Sequence, residues 1–234
     1  MQLVLSLFPG IGLLDRAFEE EGFCIVRGPD LLWGGDIRTF HPPAGRFDGV
    51  IGGPPCQCFS RLRYLLQATG NDVKHGNLIS EFERCVAEAR PDWFLMENVP
   101  QAPVPQVTGY QVNDLELCNR WVGGVQKRKR RFSFGTQDGC TLVVDVVALE
   151  RFDQAVTILA GHGSVGRGKG YYKNPALAEV CKLQGLPENF LDDAPFTMHG
   201  KRQVLGNGVP LPMGRAIAKA VKERSCQVPP PPLP

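Results

Sequence analysis

The sequence predicts an α/β fold with a doubly wound, mainly parallel β-sheet. Short apolar runs of strand length alternate along the chain with segments in which apolar residues recur at helical spacing. Several runs end in clusters of glycine, proline or polar residues, which is where such sheets bind ligands. The chain has 234 residues, of which 43% are hydrophobic and 21% charged, so it has room for one full domain and a small addition.

The amino-terminal part predicts a strand, a tight turn and a helix. Residues 3–8 form an apolar run that the glycines at 10 and 12 interrupt, and apolar residues then recur at helical spacing from 13 to 18. Gly22 ends this pattern. Further strands are predicted at 23–26, 49–51 and 93–96, and a helix at 80–89.

The carboxyl-terminal part has a different character. The sequence predicts short β-like pieces at 141–147 and 155–159, and helices at 174–184 and 213–224. The loop at 161–170 is too rich in glycine to lie in a core. Residues 225–234 are rich in proline and predict an extended tail.

Positive charge is concentrated in one part of the chain. Residues 120–173 carry ten basic and four acidic side chains, whereas the whole chain has a net charge of only +2. Such a concentration is typical of a surface that contacts a polyanion. A solvated charged face is the alternative interpretation.

Composition argues against membrane, metal and disulfide-bonded classes. No apolar run approaches the roughly 18 residues of a membrane span, and residues 1–8 have no basic flank like that of a signal peptide. The eight cysteines include no Cys-x-x-Cys pair and the four histidines are scattered, so neither a zinc site nor a disulfide framework is expected. We expect a cytoplasmic protein with reduced thiols and no bound metal.

Three motifs follow predicted strands and carry groups suited to binding or catalysis. The glycine turn at 8–12 lets the backbone approach a nucleotide-like cofactor, although a plain strand-to-helix connection also explains it. Cys56, between proline and glutamine, lies on a loop where a thiolate could act as a nucleophile. Glu97 stands beside apolar sequence, which suits it to proton donation, whereas an ordinary strand-end glutamate is the default interpretation.

A basic run, Gln-Lys-Arg-Lys-Arg-Arg-Phe, occupies residues 126–132. If this segment is a strand, two of its members point inward, because side chains alternate between the faces of a sheet. As a solvated run it needs no function.

Seven short blocks along the chain match the motif order of one enzyme family. They are Phe8-x-Gly10-x-Gly12, Asp36, Pro54-Pro55-Cys56-Gln57, Glu97-Asn98-Val99, Gln126-x-Arg128-x-Arg130, Leu183-Gln184-Gly185 and Gly206-Asn207-x-Val209. In these blocks the chain resembles the cytosine-C5 DNA methyltransferases from residue 3 to about 224, as a compact bacterial or phage-type member. Each block is a weak match alone, but seven in the right order are specific.

The resemblance implies a fold and a division of the chain. The fold is a class I methyltransferase-like, Rossmann-like sheet with a small inserted target-recognition lobe. Residues 1–132 and 201–224 would form the catalytic domain that binds S-adenosylmethionine, and residues 133–200 the target-recognition lobe, with 225–234 as the proline-rich tail.

The resemblance also implies a reaction, the transfer of a methyl group from S-adenosylmethionine to C5 of a flipped-out cytosine in DNA. In that family the thiolate corresponding to Cys56 adds to C6 of the base while the residue corresponding to Glu97 holds and protonates N3. Arg128 would contact the base with Arg130 beside it, and Asn98 would position the loop of Glu97. We expect nearby arginines to lower the pKa of the thiol.

The cofactor positions follow by the same resemblance. The residues implied are Phe8, Gly10, Ile11, Gly12, Asp36, Ile37, Pro55, Leu78, Asn207 and Val209. The acidic residue that usually closes the second strand and holds the ribose is replaced here by Arg27, and Asp30 is the substitute that we expect. Cys58 places a second thiol close to the nucleophile.

Two segments are expected to contact double-stranded DNA. The first is the loop 60–77, which would close on the DNA through Ser60, Arg61, Arg63 and Lys74. The second is the loop 161–173, with Arg167, Lys169, Tyr171 and Tyr172 against backbone and bases. Because only residues 133–182, 50 in all, lie between the basic run 126–132 and the Leu-Gln-Gly block, we expect a short target site.

Three rival interpretations stay open. One is a methyltransferase that acts on cytosine in transfer RNA or other RNA, another is a non-catalytic nucleic-acid binder, and the weakest is a dinucleotide oxidoreductase. The biological setting that we expect is DNA modification by a monomer, in a bacterium or phage-infected host. A cognate restriction nuclease would complete a restriction-modification system, but the sequence does not reveal one.

Overall fold

A six-stranded sheet with helices on both faces forms the body of the protein. The computed structural model describes residues 1–56, 59, 77–147 and 175–223. The strands are β1 (Leu3–Leu7), β2 (Cys24–Arg27), β3 (Gly49–Gly52), β4 (Trp93–Asn98), β5 (Gln111–Cys118) and β6 (Lys129–Thr136). The α-helices are α1 (Leu13–Glu20), α2 (Ile79–Ala89), α3 (Leu177–Leu183), α4 (Met198–Asn207) and α5 (Leu211–Glu223). Short 3₁₀ helices occupy Leu31–Trp33, Ile37–Thr39 and Asn119–Val122.

The strand order is β2-β1-β3-β4-β6-β5. β1 pairs in parallel with β2 and β3, and β3 pairs in parallel with β4. β6 pairs antiparallel with both β4 and β5. Antiparallel strands need only a short connection, and ten residues separate β5 from β6, too few for the helical crossover of a parallel pair. The α/β class with a mainly parallel sheet is therefore confirmed, with an antiparallel pair at one edge.

Alternating side chains build one hydrophobic core on each face of the sheet. Val4 and Leu95 contribute to the core that α1 and α5 cover, whereas Leu5 and Met96 contribute to the core that α2 covers. Every residue of β4 is buried, as expected of a central strand with both faces covered. This doubly wound arrangement agrees with the prediction.

The structure corrects several sequence-based elements. Residues 141–147 were expected to form a strand, but the structure assigns none there. β5 and α4 were not predicted, because β5 is an edge strand that carries Asp114 and Glu116, and α4 contains two glycines. The predicted piece at 155–159 and the tail 225–234 lie outside the described residues.

The expected domain boundary at residue 132 falls inside β6. This strand continues to Thr136, pairs with β5 along its whole length and with β4 from Arg131 onward, and places Phe132 and Phe134 in the core. Val180 and Leu191, from the expected inserted lobe, belong to the same core cluster as α1 and α5. A separate recognition lobe therefore stays a prediction, and its middle part, 148–174, lies outside the described residues.

None of the described helices combines the length and apolarity that a membrane crossing requires.

We expect alanine substitutions at Gly135 and Ser133, on the same face of β6, to change the stability of the protein in opposite directions. A methyl group at Gly135 would overlap the ring of Phe94, so Gly135→Ala should lower the free energy of unfolding by about 1–3 kcal/mol. Ser133 is fully buried and its hydroxyl lacks a hydrogen-bond partner in the described structure, so Ser133→Ala should leave stability unchanged or raise it by up to about 1 kcal/mol. Denaturant unfolding of both variants checks the pair, and equal destabilisation would contradict this packing.

Candidate active site

A cavity of about 490 Å³ opens at the carboxyl ends of β1, β3 and β4. α1, which follows β1, covers one face of the sheet, and α2, the next α-helix after β3, covers the other. The connections of two adjacent parallel strands thus leave in opposite directions, which opens a crevice between them. The volume lies within the range of small-molecule and cofactor sites, roughly 300–1,000 Å³.

The glycine turn after β1 forms one wall of this cavity. Gly10 and Gly12 adopt φ values of 56° and 74°, in the left-handed region that favours glycine. Phe8 also adopts a positive φ, 56°, which is costly for a residue with a side chain. Gly12 caps the start of α1, and its amide donates to the Pro9 carbonyl at 2.8 Å.

A short strap at residues 29–35 holds the Gly10 backbone from both sides. The Gly10 amide donates to Asp30 Oδ2 at 2.8 Å, and Trp33 Nε1 donates to the Gly10 carbonyl at 2.8 Å. Asp30 Oδ1 accepts from the Leu32 amide at 2.7 Å, so the carboxylate also caps the 3₁₀ helix of the strap. Asp30 lines the cavity, beside the turn, while its two oxygens hold the protein's own backbone.

An ion pair between the buried Asp15 and the exposed Arg27 lies beside this wall. Asp15 lines the cavity and accepts hydrogen bonds from Ser6 Oγ at 2.5 Å and Arg27 Nε at 2.9 Å. Burial raises the pKa of Asp15, and its hydrogen bonds to Ser6 and Arg27 offset part of that shift. Arg27, which occupies the place of the expected acidic residue, therefore serves Asp15 and is not among the residues that line the cavity.

Cys56 lines the cavity at the end of the loop that follows β3. Asn98, at the end of β4, donates from Nδ2 to the Pro54 carbonyl at 3.2 Å, and so ties the cysteine loop to the neighbouring strand. Burial raises the pKa of the Cys56 thiol, and the positive charges of Arg130 and Arg128 offset this only in part. The expectation of a lowered thiol pKa is therefore wrong for this state of the protein.

Glu97 and Arg130 form an ion pair beside Cys56. Arg130 Nε lies 2.7 Å from Glu97 Oε1, and both residues line the cavity. The other carboxylate oxygen, Oε2, would lie 3.1 Å from a Cβ atom at Gly53, a tight contact that would push the carboxylate by a few tenths of an ångström. A carboxyl group and a guanidinium thus face the same space as the thiol.

Arg128 occupies a different place from the one that the sequence suggested. Its Nη2 donates to the carbonyl oxygens of Gly206 at 2.8 Å and Gly208 at 3.3 Å. The side chain is buried and is not among those that line the cavity. Burial lowers the pKa of Arg128 to about 9, which still leaves it charged at neutral pH. Of these two arginines, Arg130 therefore lines the cavity and Arg128 does not.

Most predicted positions meet in this one cavity. The predicted residues that line it are Phe8, Gly10, Ile11, Asp30, Ile37, Pro55, Cys56, Leu78, Glu97, Arg130, Asn207 and Val209. Four others, Gly12, Asp36, Asn98 and Arg128, are not among the lining residues. Asp36 instead caps a 3₁₀ helix by accepting from the Arg38 amide. The predicted DNA contacts, Ser60, Arg61, Arg63, Lys74, Arg167, Lys169, Tyr171 and Tyr172, lie outside the described residues, as does Cys58.

Several lining residues carry no sequence signal that identifies them. Leu31 and Leu32 of the strap and Phe196 before α4 line the cavity, and the Phe196 ring lies 5.6 Å from that of Trp33. They come from separate parts of the chain, so only the tertiary fold brings them together. Gln203 is different, because it stands one helical turn before Asn207 on α4 and its spacing could have revealed it.

Within the described part of the chain, no His, Cys, Asp and Glu side chains gather in a group of three or more that could hold a metal ion. All six of its cysteines are unpaired.

The raised pKa of Cys56 predicts how its reactivity depends on pH. The thiolate is the reactive form, so alkylation by iodoacetamide should accelerate about tenfold per pH unit and should not level off near pH 8.5, where an ordinary thiol does. Mass spectrometry of the Cys56 peptide measures the rate, with the exposed Cys24 as internal reference. A plateau below pH 8 would show that the arginines outweigh burial.

Comparison with known proteins identifies a family. A family model described as C-5 cytosine-specific DNA methylase matches residues 34–160, which is more than half of the chain. The matched span includes Cys56, Glu97 and Arg130.

Relatives with similar sequences include bacterial Type II methyltransferases. M.NgoPII of Neisseria gonorrhoeae is 30% identical over 171 residues, covering 65% of this chain and 44% of that protein. M.HgiDI of Herpetosiphon aurantiacus is 28% identical over 207 residues, covering 75% and 65%. M.AquIA of Picosynechococcus is 52% identical over 121 residues, covering 41% and 48%. The chain thus spans less than two thirds of the length of each of these relatives.

Solved structures with the same fold include the S. pombe Dnmt2 methyltransferase, with a TM-score of 0.62 and 14% identity over 95% of this chain and 99% of that one. The Entamoeba histolytica methyltransferase EhMeth has a TM-score of 0.60 and 13% identity, covering 95% and 98%. At these identities the likeness shows the fold alone.

Proposed function

Because the chain belongs to the C-5 cytosine-specific DNA methylases, we propose that it methylates C5 of cytosine in double-stranded DNA. One observation carries this proposal. Cys56, Glu97 and Arg130 come from three different strand ends and face one cavity together with the glycine turn after β1. A nucleophile, a proton donor and a cation in one space are what addition to a pyrimidine requires.

The cavity fits S-adenosylmethionine as the methyl donor. Apolar side chains at Phe8, Ile37 and Leu78 suit a flat adenine, and the exposed Asn207 on α4 offers a polar group. Asp30 stands beside the turn, where a carboxylate would accept from ribose hydroxyls in addition to its backbone partners. When bound, this cofactor supplies an electrophilic methyl group.

Cys56 makes the unreactive C5 a nucleophile. Its thiolate adds to C6 of the flipped-out cytosine and forms a carbon–sulfur bond, while the electron pair of the C5–C6 double bond moves through the ring toward N3. After C5 has accepted the methyl group, it gives up its proton to water, N3 returns its proton to the Glu97 carboxylate, the C5–C6 double bond reforms and the thiolate leaves C6. The Asn98 contact to Pro54 keeps the cysteine loop at the edge of the cavity during these steps.

Glu97 supplies the proton that this addition needs. Its carboxyl group protonates N3, so that no negative charge accumulates on the ring. Arg130 holds the Glu97 side chain at 2.7 Å and lowers the pKa of the Cys56 thiol relative to burial alone. The positive charge of segment 120–173 would offset the negative charge of the DNA phosphates on either side of the flipped base.

Methyl transfer to defined polymers tests the proposal. The purified chain, incubated with radioactive S-adenosylmethionine, should label double-stranded DNA and leave RNA of the same sequence unlabelled. Base-resolution sequencing of the product should then reveal 5-methylcytosine in one short context. Labelling of RNA alone would favour the RNA methyltransferase, and absence of labelling in both would favour a non-catalytic binder.

The proposed biological role is DNA modification of the kind that Type II methyltransferases carry out. The contacts that read the target, expected at 60–77 and 161–173, stay predictions.

A further inference from the structure

Buried side chains from two distant parts of the sequence hold the carboxyl end of α4. Arg128 Nη2 donates to the carbonyls of Gly206 and Gly208, and the Gln184 side-chain amide donates to the carbonyl of Leu205. The last carbonyls of a helix have no donor within the helix, and they form the negative end of its dipole. A guanidinium and an amide therefore cap this helix end from outside it.

The capping groups are themselves fixed by a buried network. Gln126 Nε2 donates to Gln184 Oε1 at 3.1 Å and to the Leu183 carbonyl at 2.8 Å. The Gln184 carbonyl accepts from the Leu211 amide at 2.9 Å, where α5 begins. The side chains of Gln126, Gln184 and Arg128 are all almost completely buried, so water does not compete for these bonds.

This network ends next to the part of the cavity wall that Asn207 and Val209 form, called the cofactor wall below. Asn207 and Val209 line the cavity, and they alternate with the two glycines whose carbonyls Arg128 binds. A side chain at Gly208 would lie 2.6 Å from Leu13 Cδ1, so this segment also packs tightly on the start of α1. Neither Arg128 nor Gln184 is among the residues that line the cavity.

We propose that Arg128, supported by Gln184, is a positioning residue that holds Asn207 and Val209 in the cofactor wall. It thereby sets the affinity for S-adenosylmethionine and does not contact the cytosine. This assignment rests on the proposed function. Arg130, two residues later, faces Glu97 and the cavity and serves the base.

The replacement Arg128→Lys tests this assignment. Lysine keeps the charge, but its side chain is shorter than that of arginine, so its ammonium cannot reach the two carbonyls that Arg128 Nη2 binds. The dissociation constant of S-adenosylhomocysteine, measured by calorimetry on the full chain, should rise about tenfold or more. Gln184→Met, which removes a neutral donor, should raise it about fivefold. Lys129→Met removes a charge from the adjacent exposed position and should leave it unchanged.

Steady-state kinetics separate positioning from the alternatives. Arg128→Lys should raise KM for S-adenosylmethionine while kcat at saturation stays within about threefold of the wild type. A purely structural defect lowers the amount of folded enzyme, so it would reduce kcat and leave KM and the dissociation constant unchanged. That result, or a loss of kcat with normal cofactor binding, would overturn the assignment. If the wild type itself failed to bind S-adenosylhomocysteine, the proposed function would fail and this assignment with it.

Discussion

Cys56→Ala should abolish methyl transfer, with a loss on the order of 10⁴-fold or more, as is typical when the nucleophile of a covalent mechanism is removed. Alanine cannot form the bond to C6, and without that bond C5 does not become nucleophilic. The folded state should survive, because Cys56 is only partly buried at the cavity edge. Methyl incorporation into DNA measures the loss.

Trapping of the covalent adduct sharpens this test. DNA that contains 5-fluorocytosine cannot lose its C5 substituent as a cation, so the adduct with the wild-type protein should persist through denaturing electrophoresis. Cys56→Ala should form none, and Cys24→Ala, at an exposed position on β2, should form as much as the wild type. Retention of more than about 1% of activity by Cys56→Ala would rule out Cys56 as the nucleophile.

Glu97→Gln should lower kcat about 10²- to 10⁴-fold, the range that a positioned general acid contributes. Glutamine keeps the size of the side chain but has no acidic proton for N3. It also removes the negative partner of Arg130, whose side chain is only 14% exposed, so an almost buried cation loses its counterion. The Michaelis constant for DNA should change much less than kcat. Single-turnover methylation measures the chemical step directly.

The matched control for this variant is Glu116→Gln on the edge strand β5. Glu116 is 43% exposed and lies 3.9 Å from Arg131, too far for a strong ion pair, so activity should remain within about twofold of the wild type. If Glu97→Gln also stayed within tenfold of the wild type while folding normally, N3 would take its proton from another source.

Local sequence patterns predicted much of the fold and most of the cavity wall. The apolar runs at 49–51 and 93–96 became β3 and β4, because a fully buried parallel strand needs little besides consecutive apolar residues. The turn at 8–12 became the cavity wall, because positive φ values there demand glycine. The edge strand β5 and helix α4 were not predicted, because their own composition disfavours these elements and contacts with β6 and with the buried network stabilise them instead.

The sequence by itself determined the α/β class, the strand ends that carry Cys56 and Glu97, and the family, because each depends on residues that are neighbours along the chain. Only the tertiary structure decided which arginine of the Gln-x-Arg-x-Arg block lines the cavity. The pairing of Asn98 with Arg131 sets the register in which Arg130 reaches Glu97. Arg128 instead donates to the Gly206 carbonyl at the carboxyl end of α4. The tertiary structure also decided the direction of the Cys56 pKa shift. That direction is the balance between burial and neighbouring charges, and neither quantity exists until the chain has folded.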